Sequence, residues 1–163
     1  MTNAECARLA ELIRQHWRGE DGGANAWHGP SLRTLVEGVG WETAARRPIE
    51  GRHSIWELVL HITAWADIAR ARLQGERLTD PSASEDWPPI DAVNATAWTS
   101  AIERLRDSHR ALADDVKQLD EARLAEKVAG LDYTVSNLLH GVIEHSTYHG
   151  GQIAILKKPA IGR

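Results

Sequence analysis

Four stretches of this chain repeat apolar residues at intervals of three and four, and none of useful length alternates at intervals of two. A period near 3.6 gathers those residues on one face of a helix, and such a face is buried against other helices. The first stretch runs from Asn3 to about Arg18, with Cys6, Leu9, Ile13 and Trp17 on its stripe. The second opens at Ser54, where Glu57 completes an S-x-x-E capping box, and runs to about Leu73. The third spans about Asn94 to Leu119, and the fourth about Thr134 to Lys157, with Pro159 ending it. Between the first two, GEDGGANAWHGP reads as a glycine-rich loop and SLRTLVEGV as a short helix between Pro30 and Gly40. WETAARRPIEGRH then reads as a linker, and GERLTDPSASEDWPPID as a long polar connection between the second and third long helices. The expected fold is all-α: a four-helix bundle with an extra short helix between the first and second long helices, residues 1–163 forming one domain.

Several function classes are disfavoured at once. A formal net charge of −4 exerts no general pull on nucleic acid or an anionic membrane. Cys6 is the single cysteine, which rules out an intrachain disulfide and a cysteine zinc cluster. No apolar run approaches the ~20 residues of a membrane span, and the first residues lack the core of a signal peptide. A reducing, cytoplasmic setting is the expectation, with a small molecule as substrate. Seven tryptophans beside two tyrosines and no phenylalanine supply large rigid surfaces that can line a cavity as well as fill a core.

The stripes carry the chemistry. On the fourth helix, Val135, Leu138, Val142, His145, His149, Gln152 and Leu156 share the inward face, and on the second so do Leu58, His61, Trp65 and Ile68. Histidines four apart lie roughly 5–6 Å apart at Cβ, close enough for two imidazoles to meet one ion. A buried histidine is more often a hydrogen-bonded core residue than a ligand, and a lone H-x-x-x-H is weak on its own. His61 on a second inward stripe strengthens the metal reading. Ser146 follows His145, so the H-E-x-x-H of zinc proteases and its general base are absent. His109, on the stripe of the third helix, is a candidate fourth ligand, supporting partner or catalytic base, with a hydrogen-bonded core role the plainer alternative. His28, in the WHGP loop, is a candidate catalytic group on a lid, or simply an exposed loop residue. Trp65 and Gln152 are expected to line the pocket, while Trp56 faces away and packs on another helix or a second subunit. Gly150 and Gly151 leave room for a close neighbour or for a substrate.

HSIWELVLHITAW, residues 53–65, and HSTYHGGQIAIL, residues 145–156, resemble the DinB family, and WHGPSL, residues 27–32, is similar to a segment of some members. The resemblance implies a four-helix bundle in which one second-helix histidine and an H-x-x-x-H-x-G-Q-I pattern in the fourth hold one divalent metal. Carried over, His61, His145 and His149 are the ligands. Zinc or nickel are the first candidates and iron or manganese follow, since imidazole does not choose among them. Relatives that use low-molecular-weight thiols imply a metal-dependent, thiol-linked transferase or isomerase, or a hydrolase, and a homodimer. The alternative is a non-catalytic metal- or ligand-binding bundle, a sensor or a structural metal protein. Three protein ligands favour the enzyme, because a structural zinc usually has four.

Overall fold

A computed structural model describes residues 3–76 and 79–158. The helix-ending role expected of Pro159 lies outside these residues. Helix α1 (Ala4–Arg18) leads through a short 3-10 turn at Glu20–Gly22 into strands β1 (Asn25–Ala26) and β2 (Gly29–Pro30). Next come α2 (Leu32–Val36), α3 (Trp41–Ala45), α4 (Ile55–Leu73), α5 (Ala83–Asp86), α6 (Ala95–Gln118) and α7 (Val135–Lys157), with a 3-10 turn at Glu121–Ala125 before α7.

The long helices begin where their caps say they should. Ser54 accepts from the Glu57 N–H while the Glu57 carboxylate accepts from the Ser54 N–H, closing the capping box. Asn94 and Thr134 each accept from the backbone N–H three residues on, satisfying donors that have no partner in the first turn. Glu57 also takes Arg47 as a partner, so its carboxylate is engaged away from His61.

Three connections differ from the reading of the sequence. The WHGP loop closes as an antiparallel pair, Ala26 opposite Gly29 and Asn25 opposite Pro30. The segment read as a linker from 41 to 53 contains α3, and the polar connection after α4 contains α5. These helices are a turn or so long, too short for a period to declare itself. The short helix read over SLRTLVEGV is only Leu32–Val36.

Helices α1 and α4 are each flanked by α6 and α7, so the ring runs α1, α6, α4, α7. Two apolar clusters fill it. Cys6, Leu9 and Ile13 meet Ala69, Leu112, Val116 and Leu139 toward one end. Ile55, Trp56, Val59 and Ile62 meet Leu35, Trp98, Leu105 and Ile153 toward the other. Along each long helix a polar step separates the clusters: His16 on α1, Thr63 on α4, Ser108 and His109 on α6, Ser146 and His149 on α7, all buried. Gly150 belongs to this step because a Cβ there would sit 3.4 Å from Leu35 Cδ1, whereas Gly151 faces open space. The first glycine admits α2. Among the described residues no helix is long and apolar enough to cross a membrane.

Candidate metal centre

His61 and His149 are buried and His145 is half-buried, at the seam where α4 meets α7. One side-chain nitrogen from each lies within 4.8 Å of the others. The ring centroids form a near-equilateral triangle: 4.7 Å from His61 to His145, 4.7 Å from His61 to His149 and 4.4 Å from His145 to His149. The cluster sits at the edge of the buried stripe of α7, whose innermost positions are Leu139, Ser146 and Ile153.

Hydrogen bonds set which nitrogen each ring presents. His61 Nδ1 lies 2.6 Å from the backbone oxygen of Asp86, an atom that can only accept, so Nδ1 carries the proton and Nε2 its lone pair. His149 Nδ1 lies 2.8 Å from Gln152 Oε1, which turns the other nitrogen of His149 to the cluster in the same way. Such outer partners orient metal-binding imidazoles and raise their basicity. Asp86 does more: its Oδ1 accepts from Trp65 Nε1 at 2.7 Å and stands 3.3 Å from His61 Nδ1.

His145 completes the set differently. Its Nε2 is 2.8 Å from His61 Nε2, and since His61 Nε2 is bare, His145 must donate. Its Nδ1 is then left buried with no hydrogen-bond partner among the described residues. Two ring nitrogens sharing one proton, beside an orphaned third, are poorly satisfied by protein atoms alone. A cation suits the donor set: bonds of about 2.0–2.1 Å put two ligand nitrogens at most about 4.2 Å apart, within reach of modest rotation of the imidazoles.

The electrostatics agree. Burial lowers His61 and His149, opposed in part by their bonds to Asp86 and Gln152. Burial, with His149 and His61 as neighbours, pushes His145 down to about 3. All three are therefore held neutral, the form a metal requires.

Trp87 roofs the cluster. Its ring lies 3.8 Å from that of His61 at 4° and 3.5 Å from that of His53 at 8°. Two imidazoles stacked this closely on one indole cannot share a face without overlapping, so Trp87 is held between them. His53 and Trp87 were not singled out in the sequence. A signal for the second was present in Ser82-x-x-Glu85, where the Glu85 carboxylate accepts from the Ser82 N–H and starts α5 just before Asp86 and Trp87.

The remaining candidates divide. Trp65 and His145 line a cavity of about 440 Å³. Gln152 and His149 line another of about 530 Å³ with His53, Trp87 and Tyr148. His109 stays outside the cluster: it is fully enclosed in α6, its Nδ1 donates to the Leu105 oxygen at 3.0 Å and its Nε2 is 3.5 Å from Ser146 Oγ. His28 is exposed, stacks on His16 at 4.8 Å and faces Thr147, on another side of α7 from His145 and His149. Trp56 is buried against Trp98 of α6.

Burial lowers His109 to about 4, from an ordinary value of 6.5. A depressed folded value means the unfolded chain takes the proton first. The stabilisation is complete above pH 6.5 and is lost as pH falls from 6.5 toward 4, at about 1.4 kcal/mol per pH unit and roughly 3 kcal/mol in all. His109→Leu should therefore move the acid-unfolding midpoint, followed by far-UV circular dichroism, to lower pH. An acid limb of unchanged slope and midpoint would show that His109 takes up no proton on unfolding.

The sequence model of the DinB superfamily matches residues 26–153, a span that holds α4, α6, most of α7 and all three clustered histidines. No curated protein and no solved structure matches the chain.

Proposed function

Because this chain belongs to the DinB superfamily, we propose that His61, His145 and His149 hold one divalent transition metal in an enzyme that joins a low-molecular-weight thiol to a second small substrate. The observation that carries the metal is the triangle of neutral imidazoles, in which His145 has one ring nitrogen against His61 and the other buried without a hydrogen-bond partner among the described residues. Two cavities reach that triangle, one past His145 and one past His149, which favours a two-substrate transfer over hydrolysis of a single substrate. When bound, a divalent ion acts as a Lewis acid that makes a thiol or water acidic near neutral pH.

The protein's own part is positioning and exclusion. Asp86 and Gln152 hold the proton on the outer nitrogens of His61 and His149, leaving the inner nitrogens as donors. Trp87, clamped between His53 and His61, keeps bulk water from one side, and Trp65, tied to Asp86, closes another. Among the described residues no carboxylate stands in the triangle itself, so three imidazoles leave a cation its full charge.

Two experiments examine this reading. Gln152→Leu removes the acceptor that orients His149 and should weaken metal binding about 10- to 100-fold in a chelator competition assay; unchanged affinity would mean the Gln152 contact is incidental. Metal-loaded protein is also incubated with a thiol and an electrophilic acceptor, and free thiol is counted with time. Metal-dependent consumption that disappears in His149→Ala supports a transferase. Tight metal binding without turnover of any thiol or ester would leave a non-catalytic metal-binding bundle.

A further inference from the structure

The stripe Leu58, His61, Trp65, Ile68 on α4 continues at its own spacing to Arg72, a cation where an apolar residue is expected. Its side chain is 2% exposed. The guanidinium packs between two rings, its Cζ 5.7 Å from the centroid of Trp65 and 5.8 Å from that of Tyr133. Nη2 donates to the Thr79 oxygen at 3.3 Å and to Asp80 Oδ1 at 3.1 Å. Among the described residues Nε is buried without a hydrogen-bond partner.

This ion pair is lopsided, because the Asp80 side chain is 86% exposed. A carboxylate in water is a weak, exchangeable partner, whereas a guanidinium out of water needs a close anion. Arg72 lines the cavity of about 440 Å³ that also contains His145, so a charged group is held inside the fold beside the candidate metal centre. The walls between them are mostly aromatic or aliphatic, Trp65, Tyr133, Leu138 and Val142, with Asn137 the polar exception. A cavity of this size suits a small metabolite.

We propose that this cavity binds a small organic carboxylate with a flat apolar body, whose carboxylate takes the place on Arg72 that Asp80 fills in the free protein. The planar guanidinium matches a planar carboxylate, and Asp80 already shows that it accepts one. The body of the acid lies against Trp65, Leu138 and Val142, and its far end points to His145. Arg72 is then the residue that selects the second substrate, a role that rests on the histidine cluster being the reacting centre.

The test uses the metal-free protein, which separates it from the metal reading. Benzoate, benzamide and inorganic phosphate are titrated calorimetrically into wild type, Arg72→Gln and Asp80→Asn. Benzoate should saturate one site, with benzamide and phosphate about tenfold or more weaker, and Arg72→Gln should lose benzoate by a similar factor. Asp80→Asn removes the internal competitor and should bind benzoate several-fold tighter; a merely structural pair predicts no such gain. If circular dichroism shows Arg72→Gln unfolded, the benzamide comparison and Asp80→Asn decide. Absent benzoate binding, equal affinity for benzamide, stronger binding of phosphate, or no tightening in Asp80→Asn would each overturn the proposal. Benzoate bound as described by a protein that binds no metal would instead sink the metal reading and leave this pocket standing.

Discussion

His149→Ala is expected to lose metal affinity by more than the roughly hundredfold at which changes to outer partners of a ligand level off. His149 supplies one of three inner nitrogens and is one of the two whose outer nitrogen is pinned by the protein. The helix itself should survive. Leu139, Val142 and Ile153 anchor α7 in the two apolar clusters, and His149 stands at the edge of that stripe. A chelator competition read beside a circular dichroism spectrum separates the effects: weak metal binding with intact helix content is the expected pair. Wild-type affinity in the variant would remove His149 from the site. Loss of the fold in metal-free protein would recast the ion as structural.

The second large effect concerns the cluster above the site. Trp56 is 2% exposed and lies 5.2 Å from Trp98, whose indole N–H in turn donates to the Val39 oxygen at 2.7 Å. Trp56→Ala should cost about 3–5 kcal/mol of stability, because the lost contacts of a large ring and the cavity it leaves add together. Trp27 is the contrast at 88% exposed, and Trp27→Ala should stay within about 0.5 kcal/mol. Urea unfolding monitored by circular dichroism measures both. A loss below about 1 kcal/mol in Trp56→Ala would mean that the end of the bundle carrying α2 and α3 contributes little to the fold.

What the sequence revealed and what it hid follow from the range of the interactions. The starts of α4, α6 and α7 were legible because Ser54, Asn94 and Thr134 act on their own first turns. The three histidines were legible because sharing a face is a matter of spacing along one helix. The buried face of α7 nevertheless centres on Leu139, Ser146 and Ile153 and leaves His145, Gln152 and Leu156 half-buried at its edge. The ring order of the helices was not, since it depends on packing between stripes that look alike. Asp86 and Trp87 were missed for a related reason: they reach His61 across 25 and 26 residues, from a helix of four residues inside a polar segment. His53 had no role that its spacing could suggest, and only Trp87 gives it a place. Arg72 was visible in principle, as a charge on an otherwise apolar stripe. Its meaning depends on the exposure of Asp80 and on the cavity that both residues line, and neither is written in the spacing.

The most direct measurement is a diffraction experiment on crystals of metal-free protein soaked with cobalt, recorded at the cobalt edge. One anomalous peak per chain is expected, within about 2.0–2.2 Å of one nitrogen each from His61, His145 and His149. A peak bonded to other residues, or no peak at the triangle under saturating cobalt, would contradict the metal centre.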